Sequence, residues 1–188
     1  MKNQKIISIV ADSTEFAGTH RNVESGSVMG RYQCISCKAV ETTTERKVDT
    51  CSRCGGTVFD LDRYEATRAE ARIIGEQNEV FRKALGPAEW QGHQLRGRVF
   101  ITRGIREMGS EFVEAALAMV REDRNFMDDH GRDGARSFGM PEVKHQGDGF
   151  LIYWKIDLYD NEELMGPEVE SDPAQTIRVL TLCLPEDY

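Results

Sequence analysis

The chain has 188 residues, of which 39% are hydrophobic and 8% aromatic, which suffices for the core of one medium domain or of a small module joined to a larger one. No apolar run approaches the length of about 18 residues that a membrane span needs, so no membrane partner is expected. The start of the chain lacks the features of a secretory signal, and a cytoplasmic location is predicted.

The charge is unevenly distributed along the chain. Residues 1–125 carry 19 basic and 18 acidic side chains, whereas residues 126–188 carry 5 and 14, and the formal net charge is −8. Direct nucleic-acid binding is disfavoured, because Lys and Arg that neutralise phosphates supply most of such affinity. Two interpretations of the acidic third stay open: a solvated surface, or a surface that occupies a basic, nucleic-acid-binding face of a partner.

Residues 5–10 are typical of a short strand, and residues 12–27 have the composition of a loop. Two CxxC pairs with thirteen residues between them then give the strongest chemical signal: Cys34, Cys37, Cys51 and Cys54. Two such turns place four thiolates at the corners of a tetrahedron, the closed arrangement of a structural zinc. Gly55 and Gly56 allow a tight bend under the metal.

Disulfides and a redox CxxC are the alternatives to zinc. A cytoplasmic chain does not keep disulfides, and a thioredoxin-like motif needs one pair that opens a helix after a strand. The spacing and the glycines resemble a zinc ribbon, with strands at 28–33 and 58–61. The predicted organisation is an N-terminal strand and loop (1–27), a zinc ribbon (28–61) and an α+β domain (62–188).

A long helix is predicted over residues 62–85, ended by Gly86-Pro87, with Ile73, Ile74, Gln77 and Phe81 in its apolar stripe. Residues 88–94 are predicted to form a loop or a short turn. A strand follows over 98–103, then a helix that Ser110 caps, with Phe112, Val113, Ala116, Leu117 and Val120 on its buried side.

Residues 150–160 alternate as a strand with one apolar face, and residues 142–145 can pair with it as a hairpin. The last strand is 177–184. Hairpin-joined strands predict an α+β fold, in which the zinc ribbon precedes a mainly antiparallel sheet with two helices on one face.

The second half resembles a family of small bacterial proteins of unknown function, common on plasmids and mobile elements. The resemblance covers residues 70–188 and rests on three strings in order, which are Gly97 to Gly104, Trp154 to Asp160 and Thr176 to Tyr188. The family implies no activity. Many relatives have an acidic-His-acidic string before Phe138-Gly139, where this chain has Ala135-Arg136-Ser137, and this departure weakens an enzyme interpretation.

Two further groups could carry chemistry or binding. Asp128, Asp129 and His130 could hold a second metal, although such residues more often solvate a loop. Tyr153, Lys155, Asp157 and Tyr159 share the strand face that the helices leave free, as a binding surface or as a solvated face with a Lys155–Asp157 ion pair.

Three functional hypotheses remain. The first is a non-enzymatic zinc-binding interaction protein that acts on a protein partner, for instance a nucleic-acid-binding complex, with an anti-defence (anti-CRISPR or anti-restriction) inhibitor as its specific form. The second is a nucleic-acid-binding transcription accessory that uses the ribbon's Arg and Lys. The third is a metal-dependent enzyme, and the absence of phosphate-loop, HExxH and GxSxG signatures disfavours it.

Overall fold

The computed structural model describes residues 29–44, 48–127 and 134–188, so the predicted strand at 5–10 and the loop at 12–27 lie outside the described residues. Its N-terminal part, here named the cysteine module (residues 29–60), is a three-stranded antiparallel sheet. The strands are β1 (Gly30–Cys34), β2 (Val40–Thr43) and β3 (Val58–Asp60), with β1 in the middle. Both flanking strands predicted from sequence are therefore confirmed.

The rest of the described chain forms an α+β body. In chain order its elements are α1 (Leu61–Ala84), β4 (Ala88–Trp90), β5 (His93–Ile101), α2 (Arg103–Glu107), α3 (Ser110–Glu122), β6 (Phe138–Gly139), β7 (Glu142–His145), β8 (Asp148–Leu151), β9 (Tyr153–Tyr159), β10 (Ile177–Cys183) and a 3₁₀ turn (Pro185–Asp187). Among the described residues, no helix has an apolar stretch that could cross a bilayer.

Helix α1 confirms the predicted long helix to within one residue at each end. The Asp60 side chain caps it by accepting a hydrogen bond from the Arg63 N–H at 2.9 Å, and Leu85 ends it in the left-handed region at φ 52°. Gln77 and Phe81 are fully buried, as the stripe predicts. Ile73 was wrongly placed in that stripe, since it is 40% exposed.

The main sheet has five strands in the order β4-β5-β10-β9-β6. All neighbours pair antiparallel except β5 and β10, which run parallel with Ile177 beside Arg96 and Leu182 beside Ile101. The predicted mainly antiparallel sheet is confirmed. The parallel pair arises because the chain crosses from β5 to β10 through α2, α3 and four intervening strands, and β10 then enters the middle of the sheet.

Four local predictions were wrong. Residues 88–94 form a hairpin rather than a loop, because Gln91 and Gly92 adopt positive φ and turn β4 back onto β5. Strand β5 ends at Ile101, and α2 begins where the predicted strand still continued. Ser110 is the first helical residue of α3 rather than its cap, which is Gly109, and no side chain caps that end.

The fourth wrong prediction concerns the strand at 150–160. It is divided at Ile152, whose N–H donates to the Pro141 carbonyl at 3.0 Å, so β8 pairs with β7 whereas β9 joins the main sheet. The alternation itself is confirmed, because Ile152, Trp154 and Ile156 are buried in one cluster.

The core lies on one face of the sheet, under both long helices. Its buried members are Phe81, Leu95, Ile105, Phe112, Ala116, Val120, Val143, Ile152, Trp154, Ile156, Leu180 and Leu182. Trp154 and Leu182 are cross-strand neighbours and so share this face. The indole N–H of Trp154 donates to Asp123 at 2.7 Å, directly after α3. Gly139 is required opposite this pair, because a Cβ there would overlap both partners.

Candidate metal centre and interaction surfaces

The four predicted cysteines converge at one end of the cysteine module. All four Sγ atoms lie within 4.8 Å of one another, with Cys34 to Cys54 at 3.5 Å and Cys37 to Cys51 at 3.7 Å. A tetrahedral zinc with Zn–S bonds of about 2.3 Å sets its sulfurs roughly 3.8 Å apart. The donor set and its spacing therefore fit a four-coordinate metal ion, and the cluster could hold one.

Each CxxC pair is held by a turn of the same construction. Lys38 donates its N–H to the Cys34 carbonyl at 3.1 Å, and Gly55 donates to the Cys51 carbonyl at 2.9 Å. Both donors lie in the left-handed region, at φ 61° for Lys38 and 70° for Gly55. Because these turns come from backbone hydrogen bonds, the sulfurs are brought together by the fold of the module itself.

The thiols differ in their readiness to ionise. The Cys37 N–H donates to the Cys34 sulfur at 3.5 Å, and this lowers the pKa of Cys34 to about 6. Burial raises the pKa of Cys51 to about 12. A metal ion would hold all four sulfurs as thiolates, so its binding must release the proton that Cys51 retains.

Glu41 lies beside the cluster, and sequence reasoning did not single it out. Its carboxylate accepts from the Cys51 thiol at 3.2 Å and from the Ser52 backbone N–H at 3.1 Å and hydroxyl at 2.9 Å. These donors hold the pKa of Glu41 below its usual value, the Cys51 thiol foremost. Glu41 thus fastens β2 to the second cysteine turn. A single acidic residue in a hairpin gives no sequence signal for this role.

The cysteine module is joined to α1 by an ion-pair cluster. Arg31 on β1 contacts Asp62 at 2.6 Å and Glu65 at 2.5 Å, on the first turns of the helix. Arg31 is consequently engaged, which removes one of the cations that a nucleic-acid-binding ribbon would use. Of the remaining ones, Lys38 and Arg53 are exposed, and Arg46 and Lys47 lie outside the described residues.

The predicted surface on β9 lies on the sheet face opposite the helices, here named the free face. Tyr153, Lys155, Asp157 and Tyr159 are all partly accessible there, and Lys155 contacts Asp157 at 3.0 Å as predicted. Burial is the largest single influence and lowers the pKa of Lys155, but the hydrogen bond to Asp157, the charge of Asp157 and the nearby Tyr188 and Tyr159 together outweigh it, so the pKa is raised. The amine therefore stays protonated at neutral pH.

Two aromatic residues extend the free face, and sequence reasoning did not include them. Phe100 on β5 lies in one row with Thr181 and Lys155 across the sheet and is 50% exposed. Tyr188 packs on Tyr153 with ring centroids 5.6 Å apart and lies under the Lys155 amine. Period-two spacing in the β5 sequence could have placed Phe100 there, whereas Tyr188 reaches the face through the C-terminal 3₁₀ turn.

A cavity of about 320 Å³ opens at the edge of β9. Among the described residues, β6 pairs only with Trp154 and Lys155, so no strand lies beside the part of β9 beyond Ile156, and the cavity forms there. Three of the four predicted surface residues line it, together with Asn78 of α1 and Glu170. The second predicted group, Asp128, Asp129 and His130, lies outside the described residues.

The segment between β9 and β10, here named the acidic loop (residues 160–176), folds back on itself. The Asp160 carboxylate accepts from the N–H groups of Glu162 and Leu164, each at 3.1 Å. Arg98 on the free face pairs with Glu163. The loop therefore presents two adjacent apolar side chains to solvent, Leu164 at 75% and Met165 at 72% exposure.

A family model described as a protein of unknown function (DUF3768) matches residues 101–187. The chain is similar to that family over this stretch. The match runs from the end of β5 to the C-terminal turn, so it includes the acidic loop and leaves out the cysteine module. It supports the resemblance noted in the sequence, although it begins at residue 101 rather than residue 70. Comparison with curated proteins and with solved structures gave no match.

Proposed function

We propose that the protein is a non-enzymatic zinc-binding interaction protein, which recognises a partner protein through its free face and acidic loop. The observation that carries the proposal is the adjacent exposure of Leu164 and Met165 on a loop tied to the sheet. Apolar side chains that lie next to one another on the surface form a patch, and contiguous apolar patches mark surfaces that a partner covers, whereas single exposed apolar residues do not. The Lys155–Asp157 ion pair supplies charged groups on the free face with which a partner can pair.

Zinc is the metal we propose for the four cysteines, in a zinc ribbon. Four thiolates at tetrahedral spacing favour zinc over harder ions such as magnesium or calcium, which prefer oxygen. A full set of protein ligands leaves no position for substrate, so the role is structural. A reducing, cytoplasmic location belongs to the same proposal, because oxidation to disulfides would remove the ligands.

The partner we propose is a protein with a basic surface, such as one that handles nucleic acid. The acidic loop offers Glu162 and Glu168 beside its exposed apolar pair, and residues 126–188 carry the whole excess of negative charge. Complementary charge steers such an encounter and fixes its orientation. In its narrowest form, suggested by the resemblance to proteins of mobile elements, the protein is an anti-CRISPR or anti-restriction inhibitor, whose target is a nucleic-acid-cutting defence complex.

The partner is tested by affinity capture from nuclease-treated host extract, followed by mass spectrometry. We expect a stoichiometric basic protein that the Leu164→Ser/Met165→Ser variant no longer captures. The matched control is Met29→Ser/Ile35→Ser, which alters two residues of the cysteine module that are 62% and 54% exposed and should retain the partner. Partners that disappear when the extract is treated with nuclease would show that the protein recognises nucleic acid. A partner that only the control variant loses would show that the cysteine module recognises it.

The metal is tested by elemental analysis of the purified protein. We expect one zinc per chain, retained in Cys183→Ala and lost in Cys34→Ser. Cys183 is the matched control, because it is a buried cysteine far in sequence from the cluster. Purified protein that contains iron, or no metal after refolding with zinc, would contradict the assignment.

A further inference from the structure

A second cleft, of about 510 Å³, lies where the C-terminal ends of α1 and α3 meet. Its lining is unlike the acidic remainder of the molecule. Five cationic side chains, three carboxylates and one aromatic ring line it: Arg82, Lys83, Arg121, Arg124, Arg136, Glu79, Glu122, Asp123 and Phe126. The lining thus carries a formal excess of two positive charges in a protein of net charge −8.

Arg82 provides a buried cation in the lining of this cleft. It is 1% exposed, and its guanidinium donates to the Val120 carbonyl and, at 3.0 Å, to the Arg121 carbonyl. The rings of Phe126 and Trp154 lie 5.3 and 5.2 Å from its central carbon and hold it in place. Its Nε has no hydrogen-bond partner among the described residues. One buried donor is therefore left over in the lining of the cleft.

The three carboxylates of the cleft, Glu122 among them, are two fewer than its cations and do not neutralise them. Glu79 is shared between Lys83 and Arg136. Asp123 accepts from the Trp154 indole and from the Asn125 N–H at 2.9 Å. In the part of the chain that the structure describes, Arg121 and Arg124 have no ion-pair partner. Two exposed guanidinium groups are thus free to bind an anion.

Helix ends explain only part of this positive charge. Cations are favourable near the negative C-terminal end of a helix, and Arg82 and Arg121 both lie at such ends. Two helix termini supply about one negative charge between them, roughly half an elementary charge each. That is less than the excess of two positive side chains, and Arg124 lies beyond the end of α3.

We propose that this cleft binds a phosphate-bearing ligand. Guanidinium groups bind phosphate through paired N–H donors, and the low-dielectric walls of a cleft strengthen that attraction. Arg121 and Arg124 supply the exposed contacts, and Arg82 supplies a fixed positive charge beneath them. The phosphate can belong to a free compound or to a nucleic-acid backbone, and the site is independent of the acidic loop.

The test uses two probes on the full chain, a fluorescent oligothymidylate of about ten nucleotides read by polarisation and inorganic pyrophosphate as its competitor. If the three cations of the site (Arg82, Arg121 and Arg124) contact the single-stranded oligonucleotide, its affinity for the protein should fall about 20-fold between 50 and 200 mM salt. The Arg121→Gln/Arg124→Gln variant should bind at least tenfold more weakly, and its log–log salt slope should fall from about −2 to about −0.7. Thermal melting should be unchanged, because both side chains are exposed.

The matched control is Lys38→Gln/Arg53→Gln, which removes the same charge from the cysteine module and should change binding less than twofold. Competition by pyrophosphate identifies a compact phosphate site, whereas oligonucleotide binding without competition identifies a phosphodiester backbone; both support the proposal. It is overturned if neither probe binds at 50 mM salt, or if the two variants weaken binding equally.

Discussion

Replacing Trp154 with Phe tests the contact that joins the main sheet to the end of α3. Trp154 is fully buried, and its indole N–H donates to the Asp123 carboxylate at 2.7 Å. Phe keeps an aromatic ring in the core but leaves that carboxylate oxygen without its donor. The lost charged hydrogen bond costs about 1.5–3 kcal/mol, and the smaller ring adds about 1 kcal/mol for the space it leaves.

The expected loss in the free energy of unfolding is therefore about 3 kcal/mol, a large part of the 5–15 kcal/mol that roughly holds a domain folded. Urea titration monitored by circular dichroism of the backbone measures this loss, because that signal does not depend on the tryptophan that is replaced. The samples compared should have the same metal content. With a urea dependence of about 2 kcal/mol per molar, the midpoint should fall by about 1.5 M.

A double-mutant cycle with Asp123→Ala separates the hydrogen bond from the lost ring volume. Once Trp154 is replaced, Asp123 keeps only its hydrogen bond from the Asn125 N–H, so removing the carboxylate then should cost less than in the native protein. The coupling free energy should be about 1.5–3 kcal/mol. A midpoint change below about 0.5 M, or strictly additive single changes, would refute this account of the contact.

Three further predictions concern the cysteine module and the packing of α1 within the α+β body. Gly56→Ala should weaken zinc affinity about tenfold in chelator competition, because its Cβ would lie 3.3 Å from the Cys34 sulfur. Gly55→Ala is the control, since open space surrounds that position. It should chiefly lower the free energy of unfolding, by about 1 kcal/mol, because Gly55 has a positive φ. Glu41→Gln should keep or raise zinc affinity in the same assay, since an amide can donate to a thiolate that a carboxylate repels. Gly75→Ala should lower the melting temperature by several degrees, because its Cβ would overlap the Gly134 carbonyl; unchanged melting would contradict that contact.

The sequence predicted those features that are encoded locally. The apolar spacing and the Gly86-Pro87 pair predicted the position of α1 correctly, and the CxxC spacing predicted which four cysteines lie close together. The division of the strand at Ile152 was not predictable, because the alternation continues through it and only the bond to Pro141 redirects the backbone. Pairing of β5 with β10 depends on contacts across the whole body.

Buried cations were equally hidden from sequence reasoning. An arginine in a helix is ordinarily assigned to the surface. Arg82 is buried because carbonyls at the end of α3 and two aromatic rings surround it. Arg178 is fully buried on β10, where Asn78 accepts from its Nε at 3.1 Å and Gln77 accepts from a second nitrogen. Burial lowers the pKa of Arg178 to about 10, so it remains charged at neutral pH.

The position of β10 has a consequence for how the protein is made. It is the last strand of the chain, yet it occupies the centre of the main sheet between β5 and β9. β5 also pairs with β4, and β9 with β6, but neither can pair with β10 until residues 177–183 have left the ribosome, and β5 waits through some eighty residues of growing chain. The edges of β5 and β9 that face β10, and the apolar faces of these strands, stay exposed throughout this interval. The same holds for other sheets that fold slowly because their strands are far apart in the sequence. A chain that stops even a dozen residues early therefore lacks the strand that unites the two halves of the sheet.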